Sequence, residues 1–289
     1  MSAGPAKSPR TAVLLTHSHP EQIADALEHA IAAAKRAGYA LAAPAAELEK
    51  HGARAEGLGA AEELEAAPGV CLVLGGDGSI LQALRRFAGT GVPVFGINFG
   101  TIGFLAATER TDLDAGLDRA FGGDFDVMPL PGLEIDLDVE RPVALNDVSF
   151  IRRHQGRVAE LSYTLGGDEL GHVRCDGLVA ATPAGSTGYN LANSGPILAW
   201  GVEGFVVSFI SPHTLTARAL VAAPSDTLHV SNARGREPVD IALDGAHVGE
   251  LASGAEAEIR FRDAVGSLAQ LPGSSFYRRM REKFGRLAH

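Results

Sequence analysis

The chain has 289 residues, of which 46% are hydrophobic and 21% charged, so it is long enough for two globular domains. Its formal net charge of −10 excludes a protein that coats nucleic acid or an anionic membrane surface. No run approaches the roughly 20 apolar residues of a membrane-spanning helix.

The cysteines and the N-terminal residues indicate the compartment. Cys71 and Cys175 lie far apart, within or beside apolar runs, so we expect buried free thiols rather than a disulfide. The stretch MSAGPAKSPR lacks the apolar segment of a signal peptide and is expected to be a disordered tail. These features predict a cytoplasmic protein.

Strands and helices alternate along residues 1–125. Predicted strands are Ala12–Leu15, Tyr39–Ala46, Val70–Leu74 and Val92–Asn98, and predicted helices are Glu21–Arg36, the segment SILQALRRF capped by Ser79, and Thr111–Phe121, with a short helix or turn at Ala60–Ala67. Thr111 and Asp114 resemble a capping box. The strands are apolar throughout, which predicts an α/β domain with a parallel sheet covered on both faces.

Residues 126–262 have the pattern of a β-rich domain. Leu133–Val139 alternates apolar and acidic residues, as a half-exposed antiparallel strand does. Further predicted strands are Val148–Ile151, Ala159–Thr164, Leu178–Ala181, Phe205–Ile210, Thr227–Val230, Val239–Leu243 and Ala257–Phe261. Residues 263–289 are expected to complete the first domain, because the basic helix Ser275–Leu287 places Phe276, Met280, Phe284 and Leu287 on one face.

The stretch VCLVLGGDGSI, Val70–Ile80, is a buried strand that runs into a glycine-rich turn around Asp77. Such a turn directs backbone N–H groups outward at a helix N-terminus, which suits a phosphate group. A carboxylate in that place fits if it holds Mg²⁺ or accepts a proton from a hydroxyl that is about to be phosphorylated. A tight turn with an exposed aspartate is the alternative. A second glycine-rich turn, Phe99–Phe104, follows the next strand.

Small polar residues are concentrated in Cys175–Trp200. Ser186 and Thr187 offer hydroxyls there, and Tyr189 offers a flat face for a base. An ordinary long loop is the alternative interpretation.

Asn146 and Asp147 lie between two apolar runs. An amide beside a carboxylate can bind the vicinal hydroxyls of a ribose, and a hairpin turn is the alternative.

Several familiar motifs do not fit. His17 and His19 lack a nearby partner for a metal site, and Ala184 stands where a nucleophile elbow needs glycine. The chain has no P-loop motif, and no Rossmann motif at its strand–helix junctions. Arg152 and Arg153 are candidates for phosphate contact, but we expect an exposed arginine pair to be solvated.

Four stretches together resemble the NAD kinase family, and the likeness covers nearly the whole chain. They are GGDG at Gly75–Gly78, the turn ending in Gly103-Phe104, the Leu-Asn-acid step at Leu145–Asp147, and DGL…TPxGSTxYN at Asp176–Asn190. Ser211–His213, Asp244-Gly245 and the tail FYRRMREKFG also resemble the family. GGDG alone is shared with lipid kinases and phosphofructokinases, whereas the long TPxGSTxYN stretch is specific.

The resemblance implies a kinase that transfers the terminal phosphoryl group of ATP, or of polyphosphate, to the 2′-hydroxyl of the adenosine ribose of NAD. It implies an α/β domain, a β-sandwich-like domain, a tail that returns to the first domain, and a homodimer or homotetramer. Asp77 would be catalytic, Gly76, Gly78 and Ser79 would bind phosphates, and Mg²⁺ would arrive with the donor rather than on fixed protein ligands, with Asp77 as its one candidate contact. The residues implied for NAD are Asp77, Gly78, Phe104, Asn146, Asp147, Asp176, Ala184, Thr187, Gly188, Tyr189 and Asp244.

Four positions depart from the family pattern. Asp147 replaces a more common Glu, Gly188 an Ala, Ser194 a Gly and Ser79 a Thr, and none of these changes removes a reactive group. The alternatives are a lipid kinase of the same superfamily, which the polar GSTGYN loop disfavours, and a silent NAD(P)-binding protein, which the presence of Asp77 disfavours.

Overall fold

The structure is a computed structural model that describes residues 10–64, 66–101, 103–137, 141–153 and 157–285. The predicted N-terminal tail, apart from Arg10, lies outside these residues, as do Val139 of a predicted strand and Leu287 of the predicted tail helix. The chain divides into two compact units. Unit 1 comprises residues 1–129 and 266–289, and unit 2 comprises residues 130–265. Within the described ranges, no helix combines the length and the apolar character required to cross a membrane.

Unit 1 is built from alternating strands and helices. In chain order they are β1 Arg10–Thr16, α1 Ala24–Arg36, β2 Tyr39–Ala43, α2 Ala45–His51, β3 Gly59–Ala60, β4 Val70–Gly75, α3 Asp77–Arg86, β5 Val94–Asn98, β6 Thr108–Glu109 and α4 Leu113–Gly122.

Unit 2 is mostly strand. Its elements are β7 Asp126–Asp136, β8 Val143–Ala144, β9 Asp147–Arg152, β10 Ala159–Leu165, β11 Asp168–Cys175, β12 Gly177–Ala181, α5 Tyr189–Ala192, β13 Phe205–Ile210, β14 Leu220–Ala222, β15 Thr227–Ser231, β16 Val239–Leu243, β17 Ala246–Leu251 and β18 Glu256–Gln270. β7 begins in unit 1, and β18 ends there. The last helix, α6 Phe276–Phe284, belongs to unit 1.

The sheet of unit 1 is parallel, with the order β5-β4-β1-β2-β3, and the end of β18 pairs with β5 through Leu268 and Val94. Every residue of β4 is buried, which explains why its sequence is apolar without alternation. Leu72, Leu74 and Phe95 pack in the core with side chains of α1 and α4. The predicted parallel α/β domain is confirmed.

Two antiparallel sheets form unit 2. One has the order β11-β10-β15-β18, with β7 beside β18 and β8 beside β7, and the other has the order β14-β13-β12-β9-β16-β17. Both contribute to one apolar core that includes Leu161, Val230 and Ile259 from the first sheet and Phe150 and Leu178 from the second. The predicted β-sandwich-like fold is confirmed.

Six strands of the described residues, β3, β6, β8, β11, β14 and β17, escape prediction from the sequence. Each lies at an edge of its sheet. Most residues of β11 and β17 are exposed or half-buried, so their sequences lack the apolar alternation that marks a strand with one buried face.

Two predicted helix caps are wrong. α3 begins at Asp77 with Gly76 as its N-cap, so Ser79 lies inside the first turn and does not cap the helix. α4 begins at Leu113 because a short 3₁₀ turn precedes it, and the Thr111 hydroxyl donates to the neighbouring Asp112 instead of closing a capping box.

Several other boundaries differ from the prediction, among them those of α1 and β2. α1 begins at Ala24, after a 3₁₀ turn that starts at Pro20. β2 ends at Ala43 because Pro44, which has no N–H group to donate to a sheet, stands at the N-cap of α2. Within Ala60–Ala67, for which a short helix or turn is predicted, the described residues form a 3₁₀ turn at Ala61–Glu63.

Two glycines of α4 provide a matched test of its packing. A Cβ on Gly116 would lie 2.6 Å from Thr108 Cγ2, whereas a Cβ on Gly122 would meet nothing within 4 Å. We expect Gly116→Ala to destabilise the protein by about 1–3 kcal/mol through overpacking. Gly122→Ala should be neutral or up to about 1 kcal/mol stabilising, because alanine favours helix. Urea unfolding of both variants tests this, and a Gly116→Ala variant as stable as Gly122→Ala contradicts the close approach of α4 to β6.

Candidate functional site

The turn after β4 leads directly into α3. Gly76 is in an extended conformation, with φ −90° and ψ −174°, and the helix starts at Asp77. The first N–H groups of a helix have no partner inside it, and the helix dipole gives this end partial positive charge. Gly78 is exposed, and a Cβ built on it would meet no atom within 4 Å. A phosphate group can therefore approach these N–H groups closely.

The Asp77 carboxylate is held by backbone of the segment after β5. Oδ2 accepts the N–H of Phe104 at 2.9 Å, and Oδ1 accepts the N–H of Leu105 at 3.0 Å. Burial raises the pKa of Asp77, while the two N–H donors and the charges of Arg279 and Lys283 act in the opposite direction. The result is an oriented carboxylate in which each oxygen keeps a further lone pair for another partner.

Arg279 of α6 holds the same segment from its other side. Its guanidinium donates to the carbonyls of Phe104 and Ala106, the latter at 2.6 Å, and to Gln270 Oε1 at 2.7 Å. Gln270 in turn donates to the carbonyl of Leu105 at 3.0 Å. Because the Phe104 and Leu105 amides hold Asp77, Arg279 acts on the Asp77 carboxylate through this backbone as well as through its charge.

The rest of α6 strengthens this attachment. Lys283 forms an ion pair of 2.9 Å with Glu109, and the rings of Phe104 and Phe284 lie 5.3 Å apart. Glu109 also accepts a hydrogen bond of 2.8 Å from the buried Asn98 at the end of β5. The tail helix is therefore joined to both ends of the segment that orients Asp77.

α2, which the apolar pattern does not predict, brings a lysine to the end of β1. Lys50 Nζ donates to the carbonyls of Thr16 and His17, each at 3.2 Å, and pairs with Glu47 at 2.8 Å. The N–H of His17 donates to the carbonyl of Leu74 at 2.8 Å, one residue before the glycine turn. This end of the sheet thus carries the Lys50–Glu47 ion pair. Among the described residues, no group of three or more His, Cys, Asp or Glu side chains is placed to hold a metal.

Asp244 organises the corresponding region of unit 2. It occupies the turn between β16 and β17 with a φ of 49°, in the left-handed region. Its carboxylate accepts the N–H groups of Leu145, Asn146 and Asp147 at 3.1, 2.6 and 3.2 Å. These bonds fix the backbone just before β9. Because β8 pairs with β7 whereas β9 pairs with β12 and β16, the alternative of a hairpin turn at Asn146-Asp147 is wrong.

Asp147 is the first residue of β9 and is only 6% exposed. Burial, together with the negative charge of Asp244, raises its pKa to about 7. An acid with such a pKa, at the edge of a polar loop, has the features of a functional group.

The GSTGYN loop follows β12 and packs against Asn146. The buried Thr182 donates its hydroxyl to the carbonyl of Leu145 at 2.7 Å, while its N–H donates to the carbonyl of Asn146 at 2.9 Å. Ser186 is also buried, and its hydroxyl donates to the Pro183 carbonyl and accepts the N–H of Leu198, so it stabilises the loop. Gly188 is exposed, and Tyr189 is half-buried.

Tyr189 and Asp176 belong to the same region. Burial first, then the charges of Asp147 and Asp176, raise the pKa of the Tyr189 hydroxyl, which keeps it protonated. Asp176 accepts a hydrogen bond of 2.6 Å from Arg152 Nε, so Arg152 is engaged in an ion pair rather than simply solvated. Arg153 is likewise paired, with Asp240 at 3.1 Å and with Glu250.

The predicted site residues thus form one group within each unit. Unit 1 contains Gly76, Asp77, Gly78, Ser79 and Phe104, and unit 2 contains Asn146, Asp147, Asp176, Ala184, Thr187, Gly188, Tyr189 and Asp244. The supporting residues Arg279, Gln270 and Thr182 were missed. Arg279 lies in a basic run, and nothing in the sequence separates it from the exposed Arg278 beside it.

Family models match both parts of the chain. Residues 46–125 match the ATP-NAD kinase N-terminal domain, and residues 145–266 match the ATP-NAD kinase C-terminal domain. An NAD kinase of Rhodopirellula baltica is 36% identical over 219 residues, which cover 74% of this chain and 70% of that protein. The chain belongs to the NAD kinase family.

Other relatives agree with this assignment. An NAD kinase of Gemmatimonas aurantiaca is 36% identical over 221 residues, 74% of this chain and 76% of the relative. The predicted family is therefore confirmed, and so, at the level of the family, is the prediction of an NAD kinase enzyme.

Solved structures share the fold. A yeast NADH kinase complexed with NADH superimposes with a TM-score of 0.81 at 19% identity, covering 98% of this chain and 91% of that one. An NAD kinase from Archaeoglobus fulgidus in complex with ATP gives a TM-score of 0.68 at 22% identity, covering 96% and 97%.

The raised pKa of Asp147 predicts a pH-dependent stability. Between its ordinary value of 3.8 and about 7, folded Asp147 keeps a proton that the unfolded chain has released, so this group lowers stability progressively as pH rises through that window. In Asp147→Asn this loss is absent, so its free energy of unfolding relative to wild type should increase from pH 4 to pH 7 and then level off. Urea unfolding across pH measures the difference. The exposed Asp168→Asn controls for loss of one charge, and a flat Asp147→Asn difference contradicts the assignment.

Proposed function

We propose that the chain transfers the terminal phosphoryl group of ATP to the 2′-hydroxyl of the adenosine ribose of NAD, forming NADP and releasing ADP. The proposal rests on one observation. Asp77, the first residue of α3, has its carboxylate held by the backbone N–H groups of Phe104 and Leu105, in a chain that belongs to the NAD kinase family. Phosphoryl transfer depends mainly on positioning and charge stabilisation, and the turn supplies both.

In this mechanism Asp77 accepts the proton of the ribose hydroxyl as that oxygen attacks the terminal phosphorus. Its two N–H bonds fix the direction of the accepting oxygen, and burial keeps its pKa above the ordinary aspartate value. The N–H groups of Gly78 and Ser79, with Gly76 at the turn, bind the donor phosphates. The charge of Arg279 favours the same polyanion, whereas that of Lys50 is offset by Glu47.

Unit 2 provides the proposed NAD-binding groups. Asn146 and Asp147 bind the adenosine and its ribose, and the half-buried Tyr189 offers its ring to a base. Asp244 already accepts three N–H groups, so we propose that it acts by positioning the Asn146-Asp147 backbone. The proposed NAD contacts are Asp77, Gly78, Phe104, Asn146, Asp147, Asp176, Ala184, Thr187, Gly188 and Tyr189, and Asp244 belongs to the same proposed NAD site as a positioning residue.

Mg²⁺ fits the same turn only as a companion of the donor. The Asp77 oxygens each retain a lone pair, so Asp77 is the residue that would contact the ion, which would neutralise phosphate charge.

The donor, the assembly and the location complete the proposal. We propose ATP as donor, with polyphosphate as an alternative, and a homodimer or homotetramer by analogy with the family. We also propose a cytoplasmic location, which the two free buried cysteines support.

The role of Asp77 is tested by incubating the protein with NAD, ATP and Mg²⁺ and detecting NADP with an NADP-specific dehydrogenase. We expect Asp77→Asn to lower kcat by about 10²-fold or more because the proton acceptor is lost, while NAD still binds because the proposed NAD-binding groups of unit 2 are unchanged. Asp25→Asn, an exposed aspartate in the first turn of α1, is the matched control and should retain activity. Full turnover by Asp77→Asn excludes the proposed role. No NADP from wild type, with polyphosphate also tried as donor, excludes the proposed function.

Arg279 is expected to be a positioning residue for this reaction. Arg279→Gln removes both the guanidinium fork and a positive charge, so kcat should fall by roughly 10-fold or more. The pKa of Asp77 should rise, moving the acid limb of the kcat–pH profile to higher pH.

Two further variants separate positioning from a general loss of structure. Arg279→Lys keeps the charge, so the acid limb should move less than in Arg279→Gln even though the fork is lost. The exposed neighbour Arg278→Gln should leave both kcat and the profile unchanged. If Arg279→Gln matches Arg278→Gln, Arg279 has no positioning role.

A further inference from the structure

Unit 2 contains a cavity of about 610 Å³ with an unusual lining. Its charged side chains are six arginines and two glutamates, in a chain whose formal net charge is −10. The arginines are Arg152, Arg153, Arg157, Arg174, Arg234 and Arg236. None of the residues proposed above to bind NAD or the donor lines the cavity.

Three of the arginines are neutralised by carboxylates. Arg152 pairs with Asp176, Arg153 pairs with Asp240 and Glu250, and Arg174 pairs with Glu160 at 3.4 Å. Such ion pairs offset the repulsion between the three positive charges, so these arginines can line the same cavity.

The other three differ. For Arg157, Arg234 and Arg236, the described part of the chain places no carboxylate within 4 Å of the guanidinium. Glu237, the second glutamate of the lining, accepts the backbone N–H of Arg157 at 3.0 Å. Three cations therefore face one cavity without a carboxylate partner in ion-pair contact, an arrangement that an anion would stabilise.

The turn that presents Arg234 and Arg236 is held firmly. The buried Asn232 donates to the carbonyls of Glu237 and Leu251 at 2.9 and 3.1 Å, and Ser253 donates to the Gly235 carbonyl at 2.6 Å. A Cβ on Gly235 would lie 1.7 Å from Asn232 Oδ1, so only glycine fits between the two arginines. The backbone under these side chains is thus fixed before any ligand binds, which reduces the entropy cost of binding.

We propose that this cavity is a binding site for an oligophosphate, an anion with two or more linked phosphate groups. The planar guanidinium presents N–H donors in a fork that matches phosphate oxygens, and several forks around one cavity match several phosphates. The volume is sufficient for a chain of this kind, and the site is additional to the donor site at α3.

The test is isothermal titration with inorganic tripolyphosphate in the presence of EDTA, so that no phosphoryl transfer occurs. We expect the double variant Arg234→Gln/Arg236→Gln to bind roughly 10-fold or more weakly than wild type. The double variant Arg36→Gln/Arg119→Gln removes the same charge from two exposed ion pairs of unit 1 and should bind as wild type does. Arg234→Lys/Arg236→Lys keeps the charge without the fork, and it should bind with intermediate affinity and unfold at the wild-type temperature.

The outcomes are distinct. Equal binding by wild type and by Arg234→Gln/Arg236→Gln overturns the proposal, as does equal weakening in the unit 1 control, which would show non-specific attraction. Titration with metal-free ATP shows whether the site prefers the phosphate chain of a nucleotide or a free oligophosphate. Weaker binding of either anion by Arg234→Gln/Arg236→Gln than by wild type supports the site. Tighter binding of a hexaglutamate peptide than of tripolyphosphate overturns it in favour of an acidic protein partner. Because activity is not the readout, this result stands apart from the test of NADP formation.

Discussion

The candidate site of unit 1 depends on the two hydrogen bonds that the Phe104 and Leu105 amides donate to the Asp77 carboxylate. Burial alone would raise the pKa of this carboxylate and favour its neutral form, which can neither accept a proton nor face a metal ion as an anion. The two donors and the nearby cations oppose that effect. The amides can do so only if their own backbone is fixed, and Arg279 and Gln270 fix it by binding the carbonyls of the same residues. The tail helix is therefore part of the machinery around Asp77.

Unit 2 uses the same device with a different outcome. Asp244 accepts three backbone N–H groups, which stabilise its charge, and that charge lies beside the buried Asp147. No described residue donates a hydrogen bond to the Asp147 carboxyl, so this is the carboxyl whose pKa rises, to about 7. A ligand hydroxyl that donates to Asp147 would replace the missing donor and favour the ionised form. Binding of a ribose there would accordingly release a proton near neutral pH.

The sequence predicts what local chemistry determines. The apolar run Val70–Leu74, the glycines around Asp77 and the alternation in β7 identify the parallel sheet, the turn and a half-exposed strand because each pattern has one dominant physical cause. The edge strands β11, β14 and β17 have little buried surface, so they give no such pattern. The caps at Ser79 and Thr111 fail since the chain enters each helix from a constrained turn. Arg279 could not be recognised either, because the two backbone carbonyls that it binds, those of Phe104 and Ala106, lie more than 170 residues away in the sequence.

The arginines of this acidic chain show that composition does not predict which cations are available to bind an anion. Arg152, Arg153 and Arg174 each meet a carboxylate, Arg279 meets backbone carbonyls, and both arrangements consume the donors of the guanidinium. Arg234 and Arg236 are presented by a turn that is already rigid, without a carboxylate in ion-pair contact among the described residues. A net charge of −10 lowers the tendency of the whole surface to attract anions, so anion binding requires such local clusters. A phosphate drawn to one of them is thereby selected by the geometry of the forks rather than by a general positive field.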